Sequence, residues 1–148
     1  MGNTTNPRQS PLLKEHLELG AKMIEFGGWN MPVFYSGILE EHKAVREQVG
    51  IFDISHMGQL AVRGPSAEGW LNTMLTNNLA RLETGTGQYT LLLNGQGGVI
   101  DDLIVYRRGG DEYFLVVNAA RTEEDYHWLQ SKLTIRDVQL SDLSAQFG

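Results

Sequence analysis

Two adjacent carboxylates, Asp101 and Asp102, stand in the middle of an apolar run, Val99-Ile100-Asp101-Asp102-Leu103-Ile104-Val105-Tyr106. Charges inside such a run are costly to bury unless they have partners or a task. On a β-strand, side chains alternate between faces, so the two carboxylates must point to opposite sides. They then cannot share one proton as paired catalytic aspartates do, nor face each other like the carboxylates of glycoside hydrolysis. Parity also separates their surroundings. Asp101 shares a face with Val99, Leu103 and Val105, and Asp102 with Ile100, Ile104 and Tyr106. On the next apolar run Phe114, Val116 and Asn118 share a face. If the two faces coincide, a carboxylate, a phenol and an amide converge on an apolar floor, which is what a small-molecule site needs. Asp101, close to a turn, is expected to accept hydrogen bonds from backbone N–H groups. For Asp102, a structural and a functional role stay equally open on composition alone.

Other chemistries find less support. His16, His42, His56 and His127 share no ligand spacing, so no metal site is expected. Ser55, His56 and Asp53 supply the residue types of a hydrolytic triad, but neighbours in sequence are poorly placed to form one. Gly85-Thr86-Gly87 lacks the lysine and following helix of a phosphate loop. The absence of cysteine removes disulfides and thiolate chemistry. A net charge of -6 leaves no basic stripe to neutralise nucleic-acid phosphates. No apolar run approaches the roughly 18 residues that span a bilayer, and Met1 to Pro11 resembles neither a secretory nor a transit peptide. The expectation is therefore a cytoplasmic protein with no nucleic-acid or membrane partner.

The elements that must position the aspartates read as follows. Residues 1–10 form a polar, flexible N-terminus. Leu12 to Leu19 is a short helix stopped by Gly20. Phe26-Gly27-Gly28-Trp29-Asn30-Met31-Pro32 reads as a tight loop, packed on a core or walling a ligand pocket. A helix capped by Ser36 follows, with Glu40 and Glu41 in its early turns and Ile38, His42, Val45 and Val49 on its buried stripe. Gln59 to Arg63 is a strand. Pro65 opens a second helix that buries Ala67, Trp70, Leu71, Met74 and Leu75. Tyr89–Leu93, Val99–Tyr106 and Tyr113–Asn118 form an antiparallel meander separated by glycine-rich turns. Thr122 caps a last helix, with Glu123, Glu124 and Asp125 in its first turn and Tyr126, Leu129 and Leu133 on one face. A strand over Arg136–Leu140 closes the order βαβββαβ, an α+β layout of antiparallel sheet flanked by helices.

Four blocks of this sequence resemble the aminomethyltransferase (T-protein) family of the glycine cleavage system. They are Phe26–Pro32, Phe52-Asp53-Ile54-Ser55-His56-Met57-Gly58, Gly97–Tyr106 and Val116-Val117-Asn118-Ala119-Ala120, in order and with fitting gaps. The resemblance implies the family's folate-binding fold, in truncated form, because its members are more than twice this length. It divides the chain into a start of the first domain over 11–50, a second α+β domain over 51–140, and a return segment over 141–148 that is cut short. It implies tetrahydrofolate as co-substrate, no metal, and a lipoylated H-protein as the carrier that delivers the aminomethyl group. It also implies Asp102 as the catalytic carboxylate, with Met57, Tyr89, Ile104, Tyr106, Val116 and Asn118 lining the pterin pocket. Activity of these 148 residues alone is then doubtful, and surface exposed by truncation favours self-association. Two alternatives remain: a non-catalytic folding or interaction module of that fold, and a folate-dependent dimethylglycine or sarcosine demethylase domain.

Overall fold

The computed structural model describes residues 6–147; positions 1–5, half of the N-terminal segment expected to be flexible, and 148 lie outside the described residues. The chain divides into two compact units at His56/Met57.

In the first unit, helix α1 spans Leu13–Glu18 and helix α2 Ile38–Glu47. Strands β1 (Arg8–Gln9), β2 (Lys22–Phe26) and β3 (Trp29–Phe34) form a sheet of order β1-β3-β2. The stretch expected to be a loop, Phe26 to Pro32, is instead the tip and second arm of a β2–β3 hairpin. Phe26 pairs with Trp29 across Gly27 (φ 58°) and Gly28 (φ 81°). Two consecutive positive φ values are what a two-residue turn matched to strand twist requires, and Gly-Gly supplies them without a Cβ clash.

Helix α2 corrects two further expectations. Ser36 does not cap it through its side chain. Glu41 reaches back instead, one carboxylate oxygen accepting from Tyr35 N at 2.6 Å, Ser36 N at 2.7 Å and Gly37 N at 3.2 Å. These bonds hold the Glu41 pKa below its ordinary value. The periodic stripe is also not buried: Ile38, Val45 and Val49 are exposed, and so is His42.

The second unit carries strands β4 (Gly58–Arg63), β5 (Gly87–Leu93), β6 (Val99–Arg107), β7 (Glu112–Val117) and β8 (Gln139–Asp142), with helices α3 (Ala67–Met74) and α4 (Thr122–Lys132). The sheet order is β5-β6-β7-β4-β8, antiparallel throughout. The meander and the βαβββαβ order stand, although β8 begins three residues later than expected and Pro65 precedes α3 rather than opening it. One sheet face is the core. Leu60, Val62, Leu92, Leu103, Val105, Tyr113, Leu115 and Val117 meet Ala67, Trp70 and Leu71 of α3 and Leu129 of α4. Each Leu and Val among them contributes about 1.5–3 kcal/mol by leaving water. The glycine-rich β5–β6 turn is held by Asn94, whose side-chain oxygen accepts from Gln96 N and Gly98 N at 2.9 Å. Those N–H groups point inward to the turn, so the glycines serve the hairpin and offer no phosphate cradle. Thr122 is the first residue of α4 and donates its hydroxyl to Asn118 O at 3.1 Å, rather than capping the helix as an acceptor. No helix among the described residues is long and apolar enough to cross a membrane.

Candidate functional site

The register of β6 decides where the two aspartates point. Ile104 pairs with Tyr89 on one side and Val116 on the other, Tyr106 with Phe114, and Asp102 with Leu91. Directly paired residues on neighbouring strands project to the same face, so Tyr89, Asp102, Ile104, Tyr106 and Val116 stand together. Asn118 follows directly on β7 and reaches Asp102 through its side-chain amide, and Met57 directly precedes Gly58, which pairs with Val117. No helix covers this face at β5 and β6: Tyr89 is 58% exposed and Ile104 and Tyr106 are each 39% exposed. Five of the seven residues implied by the family resemblance, Tyr89, Asp102, Ile104, Tyr106 and Val116, are therefore on one side of one sheet, and Met57 and Asn118 stand just outside the ends of β4 and β7.

Asp101 lies on the other face, buried with Leu103 and Val105. It accepts from Asn118 N at 3.1 Å, as expected of a backbone-satisfied carboxylate, and also from Asn118 Nδ2 at 2.9 Å. The same Nδ2 lies 3.0 Å from Asp102 O and 3.3 Å from Asp102 Oδ1. Asn118 thus links the two aspartates around the strand edge. Both amide hydrogens are engaged by carboxylate or carbonyl oxygens, so Asn118 Oδ1 is the atom left to accept a bond from a ligand. Asp102 adds two further acceptor oxygens. Desolvation, and then the Asp102 charge, raise the Tyr89 pKa above its ordinary value, keeping the phenol protonated beside the carboxylate. The face is therefore an apolar, two-tyrosine platform edged by hydrogen-bond acceptors.

Two groups that sequence reasoning missed also belong to this neighbourhood. Gln59 pairs with Val116, on the Asp102 face, and its buried Oε1 has no partner. Asp125, read from sequence only as one of three acidic residues in the first turn of α4, is fully buried. The signal that could have found it is its spacing, four residues before Leu129 on the core-facing stripe.

The first unit contains a separate buried polar cluster. Asp53 accepts from the Ser10 hydroxyl, from Ser55 N at 2.9 Å and from Ser55 Oγ at 2.6 Å. His16 Nε2 lies 2.8 Å from Asp53, and His16 Nδ1 2.8 Å from Tyr35 OH. Both serine hydroxyls donate to the aspartate and neither meets the imidazole. No base stands ready to activate them, so the triad chemistry imagined for Asp53, Ser55 and His56 is absent. The cluster is a clasp joining residues 10, 16, 35 and 53–55. Burial works against the Asp53 charge, but the bonds from Ser10, Ser55 and His16 outweigh it and hold its pKa well below the usual carboxylate range. A depressed folded-state pKa stabilises above the unfolded value of about 3.9 and is lost as pH falls through the folded one. Asp53→Asn is expected to cost about 2–3 kcal/mol at neutral pH and to flatten the acid dependence below pH ~4. Amide hydrogen exchange of β2 and β3 measured from pH 3 to 7 checks both effects.

Fold and site together define an α+β protein whose antiparallel sheet leaves one face open at β5 and β6. The chain belongs to the family described as the GCVT N-terminal domain, which matches residues 12–148. It is 48% identical over 139 residues to an aminomethyltransferase of Geobacillus kaustophilus (strain HTA426), covering 94% of this chain and 38% of that protein. An aminomethyltransferase of Staphylococcus haemolyticus (strain JCSC1435) is 44% identical over 145 residues, covering 98% of this chain and 40% of that protein. Among solved structures, the glycine cleavage system aminomethyltransferase T of Bartonella henselae superimposes with a TM-score of 0.87 at 38% identity, over 93% of this chain and 38% of that one. The chain spans about two-fifths of the length of the relatives it matches.

Proposed function

We propose that the open face of the second unit is one wall of a tetrahydrofolate site in an aminomethyltransferase of the glycine cleavage type. In that reaction an aminomethyl group on the dihydrolipoyl arm of a lipoylated carrier protein passes to tetrahydrofolate. The products are ammonia, 5,10-methylenetetrahydrofolate and the reduced carrier. The observation that carries the reading is the convergence of Asp102, Asn118, Tyr89 and Tyr106 on one uncovered sheet face, in a chain whose relatives are aminomethyltransferases.

Tetrahydrofolate supplies the nitrogens that take up the one-carbon unit, and the protein's task is to orient and polarise them. Asp102 is the catalytic carboxylate: it accepts from the N–H groups of the pterin side and favours attack on the methylene carbon, as electrostatic and general-base help. Asn118 accepts beside it through Oδ1. Tyr89 and Tyr106 bracket the ring, and Met57, Ile104 and Val116 give it an apolar floor. Isothermal titration of the purified chain with tetrahydrofolate is expected to show saturable binding that Asp102→Asn weakens about tenfold, the loss of one charge-assisted hydrogen bond. No heat at high micromolar tetrahydrofolate would sink the claim that this chain recognises folate.

A second reading, a folding or interaction module of the same fold, is favoured by one observation. Helix α2 and the segment after it expose Ile38, Leu39, Val45, Val49, Ile51 and Phe52, an apolar surface suited to another polypeptide. Concentration-dependent self-association without folate binding is the result that would select it.

A further inference from the structure

The folate reading leaves Asp125 without a task, although its placement is costly. It is fully buried, and no donor reaches either of its carboxyl oxygens. An ionised carboxylate so placed would be an uncompensated interior charge. The other buried carboxylate among the described residues of this unit is Asp101, one residue past Ile100 on β6, and its charge acts on Asp125. The elements that bring the two together are fastened independently of either side chain. The Arg121 guanidinium donates to Ile100 O at 3.2 and 2.9 Å, Thr122 Oγ1 donates to Asn118 O, and Asp125 N donates to Arg121 O at 2.8 Å. The first turn of α4 is thus tied to β6 just before Asp101 and to the chain just after β7.

We propose that Asp125 is a positioning residue for the Asp102 site: its carboxyl retains its proton and donates it to Asp101, and Asp101 so held orients the Asn118 amide. Two carboxyl groups then carry one buried charge, satisfied by three donors: Asp125 O–H, Asn118 N–H and Asn118 Nδ2–H. A neutral Asp101 would not hold Asn118 as firmly, because hydrogen bonds to an ionised acceptor are roughly twice as strong. With its NH2 drawn toward both aspartates, Asn118 is committed to showing its oxygen to the open face. The proposal rests on the folate reading only for what Asn118 and Asp102 are presented to.

The charged groups that act most on Asp125 are Asp101 from β6 and, from its own helix, Arg121 and Glu124. Burial, then Asp101, push Asp125 up to about 8, while Arg121 pulls the other way. The proton is therefore held at neutral pH and leaves in the alkaline range, where two adjacent buried charges would loosen Asn118.

The test follows the Asn118 side-chain amide by NMR hydrogen exchange between pH 6 and 9.5, alongside tetrahydrofolate titrations. In the wild type, protection of the Asn118 Nδ2 hydrogens is expected to fall about tenfold beyond the base-catalysed trend as pH passes 8. Asp125→Asn supplies a donor that cannot ionise, so it should keep protection and folate affinity within twofold and abolish the alkaline fall. Asp125→Leu removes the donor and should lose about tenfold in both at every pH. Should Asp125→Leu not fold, the wild type and Asp125→Asn decide between themselves, since superimposable pH courses overturn the proposal. So does an Asp125→Leu protein whose Asn118 exchange matches the wild type. If the wild type binds no folate at any pH, the folate reading falls and the amide measurements still decide the role of Asp125.

Discussion

Asp102→Asn is expected to lower aminomethyl transfer about a thousandfold, whereas Asp101→Asn lowers it about tenfold. The enzyme for this measurement is a chimera in which residues 12–148 replace the matching portion of the Geobacillus kaustophilus relative, so that the catalytic comparison is made in a chain of full length. Asn is nearly isosteric with Asp, and Asp102 is exposed on its strand, so the substitution removes charge and proton-accepting capacity with little change in packing. Charge stabilisation and general-base help at a reacting centre are each worth about a hundredfold or more. The loss should fall mainly on kcat, because an interaction that strengthens with developing charge lowers the barrier more than it tightens binding. Asp101 has a different task. Its carboxylate is buried, bonded twice to Asn118 and adjacent to Asp125, so Asp101→Asn weakens the fold and loosens the presentation of Asn118. One hydrogen bond of that kind is worth about 1–2 kcal/mol, or roughly tenfold in rate. Thermal unfolding of both variants separates the cases: Asp102→Asn should unfold with the wild type and Asp101→Asn several degrees earlier. A larger rate loss in Asp101→Asn would reverse the assignment of the two carboxylates.

The opposite facing of the two aspartates was legible because strand alternation is a local property. Knowing only that Val99–Arg107 is extended, one can say that Asp101 and Asp102 face opposite ways. The register then added what the sequence left conditional, namely that the Ile104 face and the Val116 face are the same face. Asp125 was not legible in the same way. An acidic residue in the first helical turn satisfies the dipole argument whether it is exposed or buried, so residue type could not reveal that this one points inward. The clasp of Ser10, His16, Tyr35 and Asp53 was hidden for another reason. Its members are up to 43 residues apart, and no periodicity connects them. The Gly27-Gly28 hairpin did leave a signal, two glycines where two positive φ values are needed. The aromatic and Met-Pro content of the flanks outweighed it and suggested a loop. Helix α2 shows the opposite error: its 3.6-residue pattern correctly gave a helix, but an apolar stripe identifies a surface that can be buried and does not supply the partner that buries it.

Gly64→Ala is expected to be the most destabilising single-methyl change in the second unit, by about 4 kcal/mol or more. Gly64 joins β4 to α3 with φ +132°, a conformation that an L side chain rarely adopts and that costs about 1–3 kcal/mol to impose. A Cβ there would also lie 1.8 Å from Asp137 O, 2.9 Å from Asp137 C and 3.2 Å from Val138 Cα. All three are backbone atoms, so no side chain can rotate out of the way. Moving the segment would pull buried Val138 from the core and stretch the Ser66 Oγ to Asp137 Oδ2 bond, now 2.8 Å. Gly64 itself is anchored, donating to Asp111 O and accepting from Ala67 N at 2.9 Å each. Overpacking of this kind adds about 1–3 kcal/mol, and the sum is a large part of the 5–15 kcal/mol that holds a typical domain. Gly69 provides the control within the same helix–strand pair. It is an exposed residue inside α3, and a Cβ there meets nothing within 4 Å, so Gly69→Ala gains about 0.5–1 kcal/mol from helix propensity. At about 4–8 °C per kcal/mol for a domain of this size, thermal unfolding by circular dichroism should drop by roughly 15 °C or more for Gly64→Ala and rise by a few degrees for Gly69→Ala. Small shifts of equal size in both would mean that residues 137–138 yield freely. β8 would then be a strand held by its pairing with β4 alone, and the close approach at Gly64 would not be what fixes it.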